Sequence, residues 1–422
     1  MAFGDILKRI LYVLHSGMTG GTFLTTMDLI SNLGDNYEIL VMGAENDFLM
    51  LYSYFDKNLN LIKKYPRNFK LRKSMGDTDE LVNKWSAKEF HNSWLTYIYF
   101  EILIDYKIDI VHIMHLINHS FDLPQVANKL DIPVILSIHD FYFLCPLYVL
   151  LDENNKYCEG ICHDNNSPCY VPWNILDDIN PKELIPDWRK NVLNLFSFID
   201  FFIAPSEFTK KLFLSIYDNE SVINDNNFKI IEHGRNFPRL SEKYNEIPSK
   251  SKPIKILCLA NNLDIMKGSE IIKNIKNEDS NNLLEFHFLG NCPKSLNEYG
   301  FDHGPYKREE FYNKILEIKP SFIGIFSIWP ESFCHTLTEA WSCGIPVLGS
   351  NVGVVKERIL KNNGGWIIDV NDAEKSYKLI LDISRNLDEY NRIANNLRNM
   401  NFKSISEMAE EYAEIYKLVE SK

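Results

Sequence analysis

The chain has 422 residues, 45% hydrophobic and 24% charged, with 45 Lys and Arg against 57 Asp and Glu. That composition describes an ordinary globular protein long enough for two full cores, and the net charge of −12 argues against a protein that coats nucleic acid. No apolar run approaches the roughly 18 residues of a membrane span, and the N-terminal stretch lacks a signal peptide's apolar core and cleavage site, so a cytoplasmic protein with reduced cysteines is expected.

The first half opens on ILKRILYVLHS, a short apolar run, followed by GMTGGT and then FLTTMDLISNL with helical spacing. This order predicts strand, glycine loop, helix. NYEILVMG (36–43), IDIVHIMHL (108–116) and IPVILSIHD (132–140) read as further strands, apolar throughout rather than alternating, as strands covered on both faces must be. Helical stretches are expected over 87–106 and 122–130. FIDFFIAPSEFTKKLF (198–213) predicts a strand, a turn and a helix with Ser206 as its N-cap.

Residues 236–253 then carry three prolines and no apolar period, which places a domain boundary there. The pattern restarts with a strand in KPIKILCLANN, a helix in MKGSEIIKNI and a strand in LLEFHFLG. A helix in KREEFYNKILEI, a strand in PSFIGIFSI, a helix in CHTLTEAWSC and a strand in IPVLGS complete it. Alternating strands and helices predict two doubly wound α/β domains with parallel sheets, over 1–238 and 239–405. A terminal helix is expected over 406–422, with packing back on the first domain left open. Ligands of such domains bind at the carboxyl ends of the strands, and the two edges are expected to face a central cleft.

The stretch PESFCHTLTEAW holds Glu331 and Glu339, eight positions apart. Two carboxylates serve to bind a metal, to divide acid and base roles, or to accept hydrogen bonds from hydroxyls. Here Glu331 falls in the loop after a strand and Glu339 inside the next helix, whose N-terminal N–H groups favour an anion.

The pattern E-x7-E followed by A-x-x-x-G-x-P-V is met without a gap by Glu331, Glu339, Ala340, Gly344, Pro346 and Val347. In this the chain resembles the retaining GT-B glycosyltransferases of family four. The resemblance implies a transfer of sugar from a nucleotide sugar of UDP or GDP type to a glycan or lipid-linked acceptor, with no metal and no other cofactor. It implies that Glu331 binds hydroxyls of the donor sugar and Glu339 the ribose, with Ser332, Phe333, Cys334 and Thr336 also at the donor. Lys267, before Gly268, corresponds to a family cation that grips the diphosphate. Asn262 stands where the family carries an arginine, so Lys267 and helix N-termini are expected to carry more of the leaving-group charge. In the first domain the resemblance implies that the glycines of HSGMTGGT (Gly17, and above all Gly20 and Gly21) admit phosphate to the backbone, that His139 lies beside the transferred sugar with Asp140 orienting it, and that Arg235 is a phosphate candidate. A nucleotide-sugar epimerase and a non-catalytic subunit that binds sugar or a partner transferase remain alternatives.

Three further signals stand apart. Cys145, Cys158, Cys162 and Cys169 fall within one 25-residue window beside His163, and both a structural zinc and reduced thiols are open. Asp77, Thr78 and Asp79 spell D-x-D but follow no apolar strand, so a helix cap is expected. Residues 61–73 hold six basic residues and no acid, which leaves open a solvated face or peripheral contact with the inner face of a membrane.

Overall fold

In a computed structural model of the protein, the structure describes residues 7–16, 20–33, 36–45, 47–67, 90–162, 181–217, 221–238, 244–249 and 251–421. The chain divides into two compact units. Unit 1 comprises residues 1–153, 158–235 and 403–422, and unit 2 comprises 154–157 and 236–402. Asp77, Thr78, Asp79, His163, Cys169 and residues 68–73 of the basic run lie outside the described residues.

Unit 1 is built on an eight-stranded sheet. Its strands are β1 (Lys8–Leu14), β2 (Tyr37–Glu45), β3 (Phe48–Phe55), β4 (Asn58–Pro66), β5 (Ile110–Ile113), β6 (Val134–Ser137), β7 (Phe201–Ala204) and β8 (Phe228–Ile230), in the order β4-β3-β2-β1-β5-β6-β7-β8. The neighbours from β2 through β8 are parallel, and Ile10 of β1 lies between Ile39 and Ile110. Strands β5, β6 and β7 are buried along their whole length, as their unbroken apolar runs require.

The parallel pattern gives way at one edge, where β3 and β4 form antiparallel pairs. The cause is local. Asp56 and Lys57, both at positive φ (49° and 60°), join the strands in a two-residue turn of the primed kind, whose twist matches that of the strands. The edge strand β4 carries Lys63, Lys64, Pro66 and a register shift opposite Leu51 and Tyr52, devices that keep an open edge from pairing further.

Among the described residues unit 1 also holds the helices α1 (Gly21–Ile30), α2 (Ser93–Asp105), α3 (Asp122–Asn128), α4 (Pro181–Phe196) and α5 (Glu207–Ile216). Asn92 caps α2 and Ser206 caps α5, each through its side-chain oxygen. The terminal helix, Ile405–Glu420, also belongs to unit 1. Its Met408, Tyr412, Ile415, Tyr416 and Val419 share one core with Ile10, Tyr12, Leu29 and Ile110. Gly234 lets the chain cross there, because a Cβ at that position would lie 2.2 Å from the Ser404 carbonyl oxygen.

Unit 2 has a wholly parallel six-stranded sheet in the order β11-β10-β9-β12-β13-β14. These strands are β9 (Ile254–Asn262), β10 (Leu284–Asn291), β11 (Gly300–Asp302), β12 (Phe322–Ile325), β13 (Val347–Ser350) and β14 (Gly365–Ile368). Its helices are α6 (Ser269–Glu278), α7 (Phe311–Ile318), α8 (His335–Ser342), α9 (Gly353–Asn362), α10 (Ala373–Arg385) and α11 (Leu387–Arg398), which makes the Ile405–Glu420 helix α12. No helix of the described residues is long and apolar enough to cross a membrane.

Candidate active site

In unit 2 two loops leave the carboxyl ends of adjacent strands and are stapled together. The loop after β9 carries Lys267, the loop after β12 carries Glu331, and the Ile328 N–H donates to the Met266 carbonyl at 2.9 Å. Gly268 makes this approach possible. It sits at φ 87°, and a Cβ there would lie 2.3 Å from the Phe326 carbonyl oxygen.

At that junction the Lys267 ammonium donates to Glu331 Oε1, which also accepts from Ser327 Oγ at 2.8 Å. The Glu331 side chain is 10% exposed and that of Lys267 30%, so the pair is neither fully dry nor free in solvent. Burial pushes the lysine pKa down, but the Glu331 carboxylate, with Cys334 and Asp264, outweighs it and holds the amine charged. The ammonium also stands 5.0 Å from the centre of the Trp329 ring.

Glu331 and Cys334 both have positive φ (49° and 65°), a conformation that costs a residue with a side chain and is retained only where the surroundings enforce it. The enforcement is visible. The Val354 N–H donates to the Pro330 carbonyl at 2.9 Å, and Gly353 lies so close that a Cβ would meet that oxygen at 2.0 Å. From the other side Arg358 donates to the Phe333 and Cys334 carbonyls at 2.8 and 3.2 Å, with its guanidinium 4.0 Å from the Phe333 ring centre.

Of the residues singled out between the two glutamates, Phe333 and Cys334 therefore turn their side chains inward. Burial raises the Cys334 thiol to about 11, and its sulfur lies 3.3 Å from Thr336 Oγ1. Ser332 remains partly exposed. Glu339, buried in α8, accepts from the Tyr306 hydroxyl at 3.3 Å. Asn262 ends β9, and its side-chain oxygen accepts from Asn291 at 3.1 Å, so an amide pair occupies the last rung of the β9–β10 ladder.

The carboxyl edge of unit 1 gathers histidines. His15 follows β1, His115 follows β5 and His139 follows β6, with His233 beyond β8. Gly20, at φ 96°, begins α1 beside Gly21, and a Cβ at either would meet nothing within 4 Å; Gly17 lies outside the described residues. The rings of His139 and His233 stack at 5.3 Å. Burial, with His115, lowers the His139 pKa to about 4, so the ring is neutral near pH 7.

The hydrogen bond expected to link Asp140 to His139 is made elsewhere: His115 Nε2 donates to Asp140 Oδ2 at 2.9 Å. The adjacent Tyr142 N–H donates to Oδ1 at 2.9 Å. Burial alone would raise the Asp140 pKa, but these donors more than offset it and the carboxyl is held below its ordinary value. His115 was legible only as a histidine at the end of an apolar strand; its partner lies 25 residues away. The Arg235 N–H donates to the Lys403 carbonyl at 2.9 Å, tying the end of the second segment of unit 1 to the start of its last. No group of three or more metal-ligating side chains occurs among the described residues, which include Cys145, Cys158 and Cys162 but not Cys169 or His163.

Two Rossmann-like α/β units, one with a wholly parallel sheet and one parallel except at its β2–β3–β4 edge, place this chain in the architecture of the GT-B glycosyltransferases. Residues 316–400, which contain both glutamates, match the family model described as Glycosyl transferases group 1. Among solved structures, sucrose-phosphate synthase from Thermosynechococcus elongatus superposes with a TM-score of 0.64 at 12% identity, covering 98% of this chain and 99% of that one. Anabaena Alr3699/HepE in complex with UDP-glucose gives 0.59 at 14% identity over 97% and 99%. A glycosyltransferase from Rickettsia africae gives 0.60 at 16% identity over 98% of each. No curated protein matches the sequence.

Proposed function

We propose that the protein transfers a sugar from a nucleotide-sugar donor to an acceptor hydroxyl with retention of configuration and without a metal. The observation that carries this reading is the meeting of Lys267 with Glu331 and Ser327 at the carboxyl end of the unit 2 sheet, the last two within the stretch the family model matches. Glu331 accepts hydroxyl hydrogen bonds from the donor sugar, Glu339 those of the ribose, and Lys267 meets the diphosphate. The N–H groups that open α8 add partial positive charge on the same side.

In the reaction the bond between the anomeric carbon and the diphosphate oxygen breaks, and its electron pair leaves with the diphosphate. The acceptor oxygen bonds to that carbon from the face the diphosphate leaves, and its proton passes to the departing diphosphate. Lys267 stabilises the charge that develops there, more so because Asn262 brings none. Alr3699/HepE was crystallised with UDP-glucose, which supports a UDP-sugar as the first donor to try. The reading extends to a cytoplasmic enzyme with a glycan or lipid-linked acceptor. Contact with an anionic membrane face is supported only by the basic stretch that includes Lys63 and Lys64.

The test is a transfer assay across UDP-, GDP- and dTDP-sugars with wild type, Glu331→Gln and Lys267→Ala. Product formation lost in both variants is expected. Full transfer by either would show that the site is wrong.

A further inference from the structure

We infer that Asp140, positioned by His115, accepts the hydrogen bond of the acceptor's attacking hydroxyl on unit 1. This rests on the transferase reading above and names the group that receives its acceptor.

The geometry begins with a tautomer. The Ile117 N–H donates to His115 Nδ1 at 3.0 Å, so Nδ1 is the lone-pair nitrogen and the ring proton sits on Nε2, pointed at Asp140. The imidazole has no room to turn. It is 3% exposed and lodged between His15 and Tyr142, with ring centres at 4.8 and 5.1 Å. Asp140 thus takes one donor on each oxygen, both from groups fixed by the strand ends. A carboxylate offers about four acceptor positions, so two remain, and its side chain is 23% exposed and open to a ligand.

The electrostatics select what those positions suit. Burial lowers His15 to about 3 and His139 to about 4, so these two rings set no positive charge against the Asp140 carboxylate near pH 7. Such a place attracts hydroxyl donors and repels an anion. A carboxylate held this acidic is also a poor proton sink, so its work is to orient the hydroxyl while the proton leaves with the diphosphate. The acceptor end that lies here is therefore a neutral sugar or polyol.

The experiment uses the full chain, the nucleotide sugar that supports transfer in the assay above, and p-nitrophenyl glycosides with and without a 6-phosphate as acceptors. Asp140→Asn keeps the shape of the side chain and is expected to lower kcat/KM for the neutral acceptor at least tenfold. The donor Kd, titrated without acceptor, should stay within about twofold. His115→Ala should move the same parameter, and His115→Gln, whose amide can still donate, should restore most of it. Undiminished acceptor kcat/KM in Asp140→Asn, donor and acceptor parameters falling together, or a preference for the 6-phosphate glycoside would each overturn the inference. Should His115→Ala not fold, Asp140→Asn decides alone. A wild type that binds no nucleotide sugar would overturn the transferase reading itself, and this inference with it.

Discussion

Lys267 and Glu331, 64 residues apart, meet as an ion pair because two strand-exit loops are held in contact by glycines on either side of them. The pair depends on backbone geometry as much as on charge. Glu331 accepts a left-handed conformation to reach the lysine, and Gly353 and Arg358 hold it there.

Gly268→Ala and Gly353→Ala should each destabilise unit 2 by about 2 kcal/mol or more, since the new methyl would press on backbone oxygen that cannot yield. Gly304→Ala is the control. It also has positive φ (70°), but a Cβ there meets nothing within 4 Å, so only the conformational cost of roughly 1 kcal/mol applies. Chemical denaturation of the three variants checks the ranking, and equal losses would refute the crowding account.

Tyr416 of α12 joins a buried polar network. Its hydroxyl lies 2.5 Å from that of Tyr12 and 2.8 Å from His112 Nδ1, while His112 Nε2 meets Ser137 and Ser137 meets Tyr412. Tyr416→Phe should cost about 1–3 kcal/mol, because it strands two buried polar groups while keeping the ring. Urea unfolding should show a lower midpoint with an unchanged slope, and a neutral outcome would mean that the network adds nothing net.

Unit 1 should be acid-sensitive. Burial is the main cause that lowers His15, His112 and His119 to about 3 and His139 to about 4. In the unfolded chain these groups titrate near 6.5, so below that pH the unfolded state binds protons that the folded state refuses. Their contribution is whole above about pH 7 and is lost as pH falls from 6.5 toward 4, with a slope on the order of 5 kcal/mol per pH unit at its steepest. Asp140, also depressed, adds a loss of the same sign at lower pH. Stability measured between pH 7 and 5 should fall steeply, and a flat profile would show that the rings take up protons in the fold as readily as in the unfolded chain.

Much of the fold was legible because a parallel strand covered on both faces must be apolar throughout, as Ile110–Ile113 and Phe201–Ala204 are. Ser206 was legible as a cap because capping is a short-range rule. The antiparallel edge was not: its turn uses Asp56 and Lys57 without glycine, and the exposed, lysine-bearing β4 reads as a charged run rather than a strand. In the candidate site the spacing of Glu331 and Glu339 is a sequence property. The Ser327, Tyr306 and Arg358 contacts, and the transfer of Asp140 from His139 to His115, arise only when separate strand ends converge.

The most direct test of the central claim is calorimetric titration of UDP-, GDP- and dTDP-sugars into wild type, Glu331→Gln and Glu339→Gln. The account predicts saturable binding of at least one nucleotide sugar to wild type, weakened about tenfold or more in each variant, as loss of a charge-assisted hydrogen bond implies. Binding of none of them, or equal binding in all three proteins, would contradict it.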